Sequence, residues 1–101
     1  MKKSQECQNL NEVRQEIDRI DREMMRQFSE RYEYVKAASK FKPNVASIAA
    51  PDRVASMLEE RKLWAKEESF DIQLGVKLFE QITRLFIEAQ TKYWLEQNIL
   101  K

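Results

Sequence analysis

Four cations and one amide stand where helical spacing would place apolar or solvated residues, and together they could recognise an anion. Arg31 falls between Phe28 and Val35 in a run whose apolar residues (Leu10, Val13, Ile17, Ile20, Met24, Phe28, Val35 and Ala38) recur at helical spacing. At about 100° per residue the set lies within about 40° of one line, and Arg31 sits about 20° from its centre. A guanidinium there needs a carboxylate side chain or an anionic ligand, because burying an unpaired cation is costly. An internal salt bridge, or an arginine snorkelling at the stripe's edge, would meet the same need. Lys42 falls on the same line three turns later, and Arg14 flanks it about 80° away, beside Leu10 and Ile17. Gln90 lies within about 40° of the line through Phe79, Phe86 and Tyr93, which turns an amide inward. Arg53 follows Pro51 in the first turn of a second helix, where the macrodipole disfavours a cation unless an anion is shared. Singly, Lys42 and Arg53 read as solvated helix termini and Gln90 as a satisfied core amide. Together they outline an apolar pocket with cationic donors and one neutral amide, suited to carboxylates held bidentately by arginine.

The missing residue types narrow the chemistry further. The chain has no histidine, which removes the usual general base, the usual partner of a nucleophile and the commonest metal ligand. Cys7 is the only cysteine, so no internal disulfide, zinc knuckle or CxxC redox site can be written. Asp18, Asp21 and Glu88 offer no close pair of carboxylates with divergent environments. A reaction at such a pocket would depend on shape and charge, which points to a unimolecular rearrangement or elimination of a small polyanion. No cofactor and no metal are expected.

The elements that must position these groups are helices. One glycine, Gly75, and two prolines, Pro43 and Pro51, are too few turn residues for a β-rich domain of 101 residues, so the fold is expected to be all-α. Helix 1 opens at Asn9, an N-cap with Glu12 three residues on, and runs to about Lys42, where Pro43 stops it. Residues 43–50 lack helical periodicity but are mildly apolar (Val45, Ala46, Ile48), which reads as a loop packed on something. Pro51 starts helix 2, to about Glu68, with Val54, Leu58 and Ala65 inward and Met57 and Trp64 alongside. Helix 3 covers about 71–98, lined by Phe79, Ile82, Phe86, Ala89 and Tyr93. The whole reads as a single domain, 1–101.

Helix 1 would span about 50 Å, longer than a domain of this size is wide. Two shorter helices cannot bury its stripe, so a homodimer with the long helices packed together is expected, ahead of an extended antiparallel coiled coil. Eighteen Lys and Arg against seventeen Asp and Glu leave a formal charge of +1, which gives no general attraction to nucleic acid or anionic lipid. Met1-Lys2-Lys3 leads into polar Ser4, Gln5 and Glu6 with no apolar leader segment, and with the unpaired thiol this makes the cytoplasm the expected compartment.

Arg14 and Arg31 on a long first helix, Lys42 at its end, Arg53 opening the second and Gln90 in the third resemble the all-α, AroQ-class chorismate mutase family over essentially the whole chain. Within it the sequence is most similar to the isochorismate pyruvate lyases of salicylate and siderophore biosynthesis. The similarity is carried by Asp18-Arg19-Ile20-Asp21, Tyr34-Val35-Lys36-Ala37-Ala38-Ser39, Phe41-Lys42, Arg53-Val54-Ala55 and Lys92-Tyr93-Trp94. The resemblance implies an intertwined homodimer of three-helix protomers with two shared active sites. Arg31 and Lys42 of one protomer, with Arg14 from the other, would hold the two carboxylates and the ether oxygen. Gln90 would complete the hydrogen bonds, Arg53 would sit at the ring side, Val35 would be a further substrate-binding residue, and residues 43–50 would be a lid that orders over substrate.

Two positions depart from the mutase pattern. Val54 stands where mutases carry a glutamate for the ring hydroxyl of chorismate, and Phe86 replaces a small hydroxyl residue. The implied activity is therefore cofactor-free conversion of isochorismate to salicylate and pyruvate, by a concerted hydrogen shift from ring to enolpyruvyl methylene, with weak mutase activity beside it. Lys42 would stabilise charge on the ether oxygen. A primary chorismate mutase is the alternative enzyme, and a non-catalytic helical interaction module the alternative outside enzymes.

Overall fold

Asn9 starts the first helix by accepting a hydrogen bond from the Glu12 amide on its side-chain oxygen at 2.9 Å, which satisfies one of the donors a helix start leaves open. In this computed structural model, which describes residues 1–99, the helices are α1 (Leu10–Ser39), α2 (Pro51–Glu67) and α3 (Ile72–Asn98). Single 3₁₀ turns cover Ser4–Glu6 and Val45–Ser47, and no strand occurs among the described residues. The fold class is all-α, as the turn-residue count requires. No helix among the described residues is long and apolar enough to cross a membrane.

The chain divides into two units, residues 1–34 and residues from Val35 onward. The first holds the N-terminal 3₁₀ turn and α1 as far as Tyr34. Its leading segment is tied down by an ion pair between Lys2 and Glu12, and the Lys2 ammonium holds the Glu12 carboxyl below its usual pKa. The Glu12 side chain thus reaches Lys2. The apolar residues Leu10, Val13, Ile17, Ile20 and Met24 are exposed along this part of α1.

The second unit has a small core in which α2 packs on α3. Met57 and Ala65 of α2 are buried, as are Gly75, Thr83 and Gln90 of α3. Gly75 permits the approach, since a Cβ there would lie 3.3 Å from that of Ala65 and 3.5 Å from the Phe70 ring. Thr83 sets its hydroxyl 3.8 Å from the Met57 sulfur. Trp64, expected beside the inner face of α2, is 45% exposed. It lies about 100° around the helix from Ala65, and the Arg61 guanidinium covers it at 4.1 Å from the ring centroid.

Helix α1 ends at Ser39, three residues before Lys42. The chain tightens there into a 3₁₀-like turn, with the amides of Lys40, Phe41 and Lys42 donating to the carbonyls of Ala37, Ala38 and Ser39. Residues 43–50 hold a short turn as well: the Asn44 side chain accepts from the Ser47 amide at 3.0 Å. Ile48 of this loop is only 3% exposed, so the loop does pack, through one anchor.

Helix α2 closes in a Schellman motif, with the Phe70 amide donating to the Ala65 carbonyl at 2.8 Å and the Ser69 amide to the Lys66 carbonyl at 3.1 Å. The left-handed position of this motif is held by Ser69, at φ 55°. Glycine adopts that conformation without the steric cost of a Cβ. Ser69→Gly is therefore expected to stabilise the fold by up to about 1 kcal/mol, raising Tm by about 4–8 °C. Thermal melts of the two proteins at equal concentration check this, and an unchanged or lower Tm contradicts it.

Candidate active site

In the second unit, the end of α3 grips the chain where α1 gives way to the loop. Gln90, 7% exposed, donates from Nε2 to the Val35 carbonyl at 3.2 Å. That carbonyl also accepts from the Ser39 hydroxyl at 3.3 Å. The contact orients the amide: one Nε2 hydrogen is held by the backbone, and the other and Oε1 remain for a ligand. Four residues on, and so on the same side of α3, the Trp94 indole N–H donates to the Lys42 carbonyl at 2.9 Å. Lys42 is half-buried and donates from Nζ to the Ser47 carbonyl at 3.2 Å. An ammonium has three donors, so one can rest on the loop while two face a ligand.

Lys42, Gln90 and Val35 are thus linked through the backbone of residues 35–47. Lys36 adds a charge 5.9 Å from the centroid of the Tyr93 ring. Arg53 stands exposed in the first turn of α2, beside Asp52, and Val54 is half-buried. Phe86 is half-buried on α3, one turn before Gln90.

The first unit carries the other two arginines. Arg31 is half-buried, with Nη1 shielded from solvent, as its place near the apolar line requires. Arg14 is exposed, on the flank of the exposed stripe. Arg19, in the Asp18-Arg19-Ile20-Asp21 run, is engaged by Glu16 at 3.1 Å and Glu23 at 3.0 Å, and Glu16 chiefly holds its pKa above the ordinary guanidinium value. Its charge is turned to neighbours on the helix.

Trp94 is the contributor that residue-by-residue reading passed over. It could have been found, because an indole four residues after an inward glutamine shares that glutamine's face. Among the described residues, no three Asp, Glu or Cys side chains converge to hold a metal ion. The available chemistry is charge and hydrogen bonding: guanidinium and ammonium donors, one oriented amide and apolar walls.

Comparison with known proteins gives the same direction. The profile of the family described as chorismate mutase type II matches residues 13–91. An isochorismate pyruvate lyase of Pseudomonas aeruginosa is 46% identical over 94 residues, covering 93% of both chains. A chorismate mutase of Methanocaldococcus jannaschii is 29% identical over 92 residues, covering 90% of this chain and 92% of that one. A T-protein of Haemophilus influenzae is 34% identical over 79 residues, which is 77% of this chain and 20% of the relative.

Proposed function

The chain belongs to the chorismate mutase type II family, and from that premise we propose that it is an isochorismate pyruvate lyase, releasing salicylate and pyruvate from isochorismate. The observation that carries the reading is its end-to-end similarity, at 46% identity, to a protein named for that activity. Val54 supports it further: an apolar side chain opening α2 offers no acceptor to the ring hydroxyl of chorismate. A residual mutase activity accompanies the lyase. Chorismate mutase as the main activity is the second reading, favoured by the equally full-length similarity to the Methanocaldococcus protein.

The reaction balances without any added group. The ether bond between ring and enolpyruvyl oxygen breaks, and one ring hydrogen moves to the enolpyruvyl methylene, which becomes the methyl of pyruvate. Salicylate keeps the hydrogen on the carbon that lost the ether, so the migrating hydrogen comes from the neighbouring carbon that bears the hydroxyl. Arg31, and Arg14 donated by a second protomer, hold the carboxylates by charge-assisted pairs. Lys42 meets the charge growing on the ether oxygen, and Gln90 fixes the enolpyruvyl arm. Val35, Phe86 and Val54 wall the ring and keep the substrate folded in its reactive conformer, while Arg53 faces the ring side. The cytoplasm, where a lone thiol such as Cys7 stays reduced, suits this enzyme.

A homodimer supplies what the first unit lacks. Leu10, Ile17, Ile20 and Met24 are exposed on α1, and a second copy offers the same stripe in return. The site is then shared, with Arg14 crossing over.

One experiment tests the assignment. Purified protein is given chorismate and, separately, isochorismate carrying deuterium on the hydroxyl-bearing ring carbon. The expected result is faster turnover of isochorismate, with the label in the methyl group of pyruvate and no effect of chelators. Pyruvate carrying solvent hydrogen, under conditions where pyruvate itself does not exchange, would replace the concerted transfer by a base-mediated elimination. Preference for chorismate would make the chain a mutase, and inertness to both would leave a binding module.

A further inference from the structure

The hydrogen bonds at the end of α3 form a paired device. Gln90 and Trp94 are four residues apart, and their side-chain N–H groups grip the carbonyls of Val35 and Lys42, seven residues apart, at 3.2 and 2.9 Å. The first carbonyl lies in the last turns of α1. The second lies beyond the helix end at Ser39, where the chain has left the regular hydrogen-bond ladder and a single 3₁₀-like bond, from the Lys42 amide to the Ser39 carbonyl at 3.1 Å, ties it to the helix. Beyond that one bond, Lys42 owes its place to groups outside α1. Its backbone is held from behind by Trp94, and its ammonium rests on the Ser47 carbonyl of the loop, itself anchored by buried Ile48.

We propose that Trp94 is a positioning residue for the reaction, acting through Lys42: its indole N–H holds the Lys42 carbonyl so that the ammonium reaches the ether oxygen without searching. The proposal rests on the reading of Lys42 as the group that stabilises the breaking bond. The physical reason for an effect on rate is geometric. A donor must wait within a fraction of an ångström of its place, and displacement of about 1 Å can cost about a hundredfold. An indole is suited to the task because its N–H is a donor only, fixed in a rigid, half-buried ring that cannot turn away to bond elsewhere.

The test replaces Trp94 by β-(3-benzothienyl)alanine, which keeps the bicyclic shape and exchanges the N–H for sulfur, and in parallel by Phe (Trp94→Phe). Each is made in the native chain and in Lys42→Ala, with isochorismate as substrate and turnover followed at high enzyme concentration. In the native background both changes are expected to lower kcat by about tenfold or more, with KM within about twofold and the benzothienyl protein melting close to the native one. In the Lys42→Ala background the benzothienyl change is expected to cost less than about twofold further, because the group it positions is gone.

Unchanged kcat in the benzothienyl protein, alongside a slow Lys42→Ala protein, would overturn the proposal and leave the role of Lys42 standing. An equal loss in both backgrounds would show that Trp94 acts elsewhere, and would overturn it too. Near-native turnover by Lys42→Ala itself would remove both, and would show that the reading of Lys42 was the part that failed.

Discussion

Lys42→Ala lowers the turnover of isochorismate by about 10² to 10³-fold, the loss that follows removal of one well-placed donor to a developing negative charge, or about 3–4 kcal/mol of barrier. The expectation comes from what the rest of the chain cannot supply. With no histidine and with Cys7 as the only thiol, a cation aimed at the ether oxygen is the strongest means left of helping that bond to break. Lys42 is half-buried and its ammonium rests on the Ser47 carbonyl at 3.2 Å, so on the proposed reading the charge is held near its work before substrate arrives. Lys42→Arg recovers only part of the loss, because a planar fork does not replace a compact ammonium. Steady-state kcat of the three proteins measures this. An alanine protein within about threefold of native turnover would reduce Lys42 to a solvated charge beside a helix end.

The second expected result concerns two defective proteins that repair each other. On the proposed reading Arg14→Ala and Arg31→Ala each remove a carboxylate partner, and each alone should lose two or more orders of magnitude of kcat/KM. If the site is shared across a two-fold dimer, half the dimers refolded from an equal mixture pair one chain of each kind. Every such dimer holds one site with both arginines and one with neither, so the mixture regains about a quarter of native activity. Recovery to that level requires exchange of chains, so it must appear after unfolding and refolding and not on simple mixing of slowly exchanging proteins. A refolded mixture that stays at the level of its parents would place both arginines in one protomer's site.

Much of this arrangement is legible in the sequence where a single physical rule dominates. Helical spacing and the scarcity of glycine lead to three helices, and the loop's mild apolarity anticipates the burial of Ile48. Pro51 marks the start of α2 because an N1 proline acts locally, whereas the cap of α3 emerges from the structure, where Asp71 accepts from the Leu74 amide at 2.9 Å. What escapes such reading depends on contacts distant in sequence or on competition between local signals. Periodicity carries α1 to Lys42, whereas the Ser39 hydroxyl bonds back to Val35 and the next three amides form tighter turns, so the helix stops sooner. Trp64 reads as lying beside the inner face of α2, yet it stays 45% exposed, with only the Arg61 guanidinium over its ring. Trp94 reads as an apolar aromatic, and its role becomes visible only when the Lys42 carbonyl, 52 residues earlier, lies within reach. Val54 and Phe86 carry their meaning only against the family pattern, since an isolated valine or phenylalanine does not report which hydroxyl it fails to bind.

The exposed stripe of α1 also matters before the protein is finished. Residues from Leu10 to Met24 are made before α2 and α3, and at about 5–20 residues per second the roughly three-quarters of the sequence that follows Met24 takes several seconds or more. During that interval the nascent helix has no α2, no α3 and no second copy to cover its leucine, isoleucine and methionine side chains, and a solitary helix of this length is marginal in water. Its i,i+3 and i,i+4 ion pairs, such as Arg19 between Glu16 and Glu23, favour the helix, and its charges favour solubility, while the stripe is uncovered. If a second copy covers this stripe, as proposed, yield on expression should depend on how quickly newly made chains meet, and slow synthesis at low abundance would expose this segment to proteases for longest.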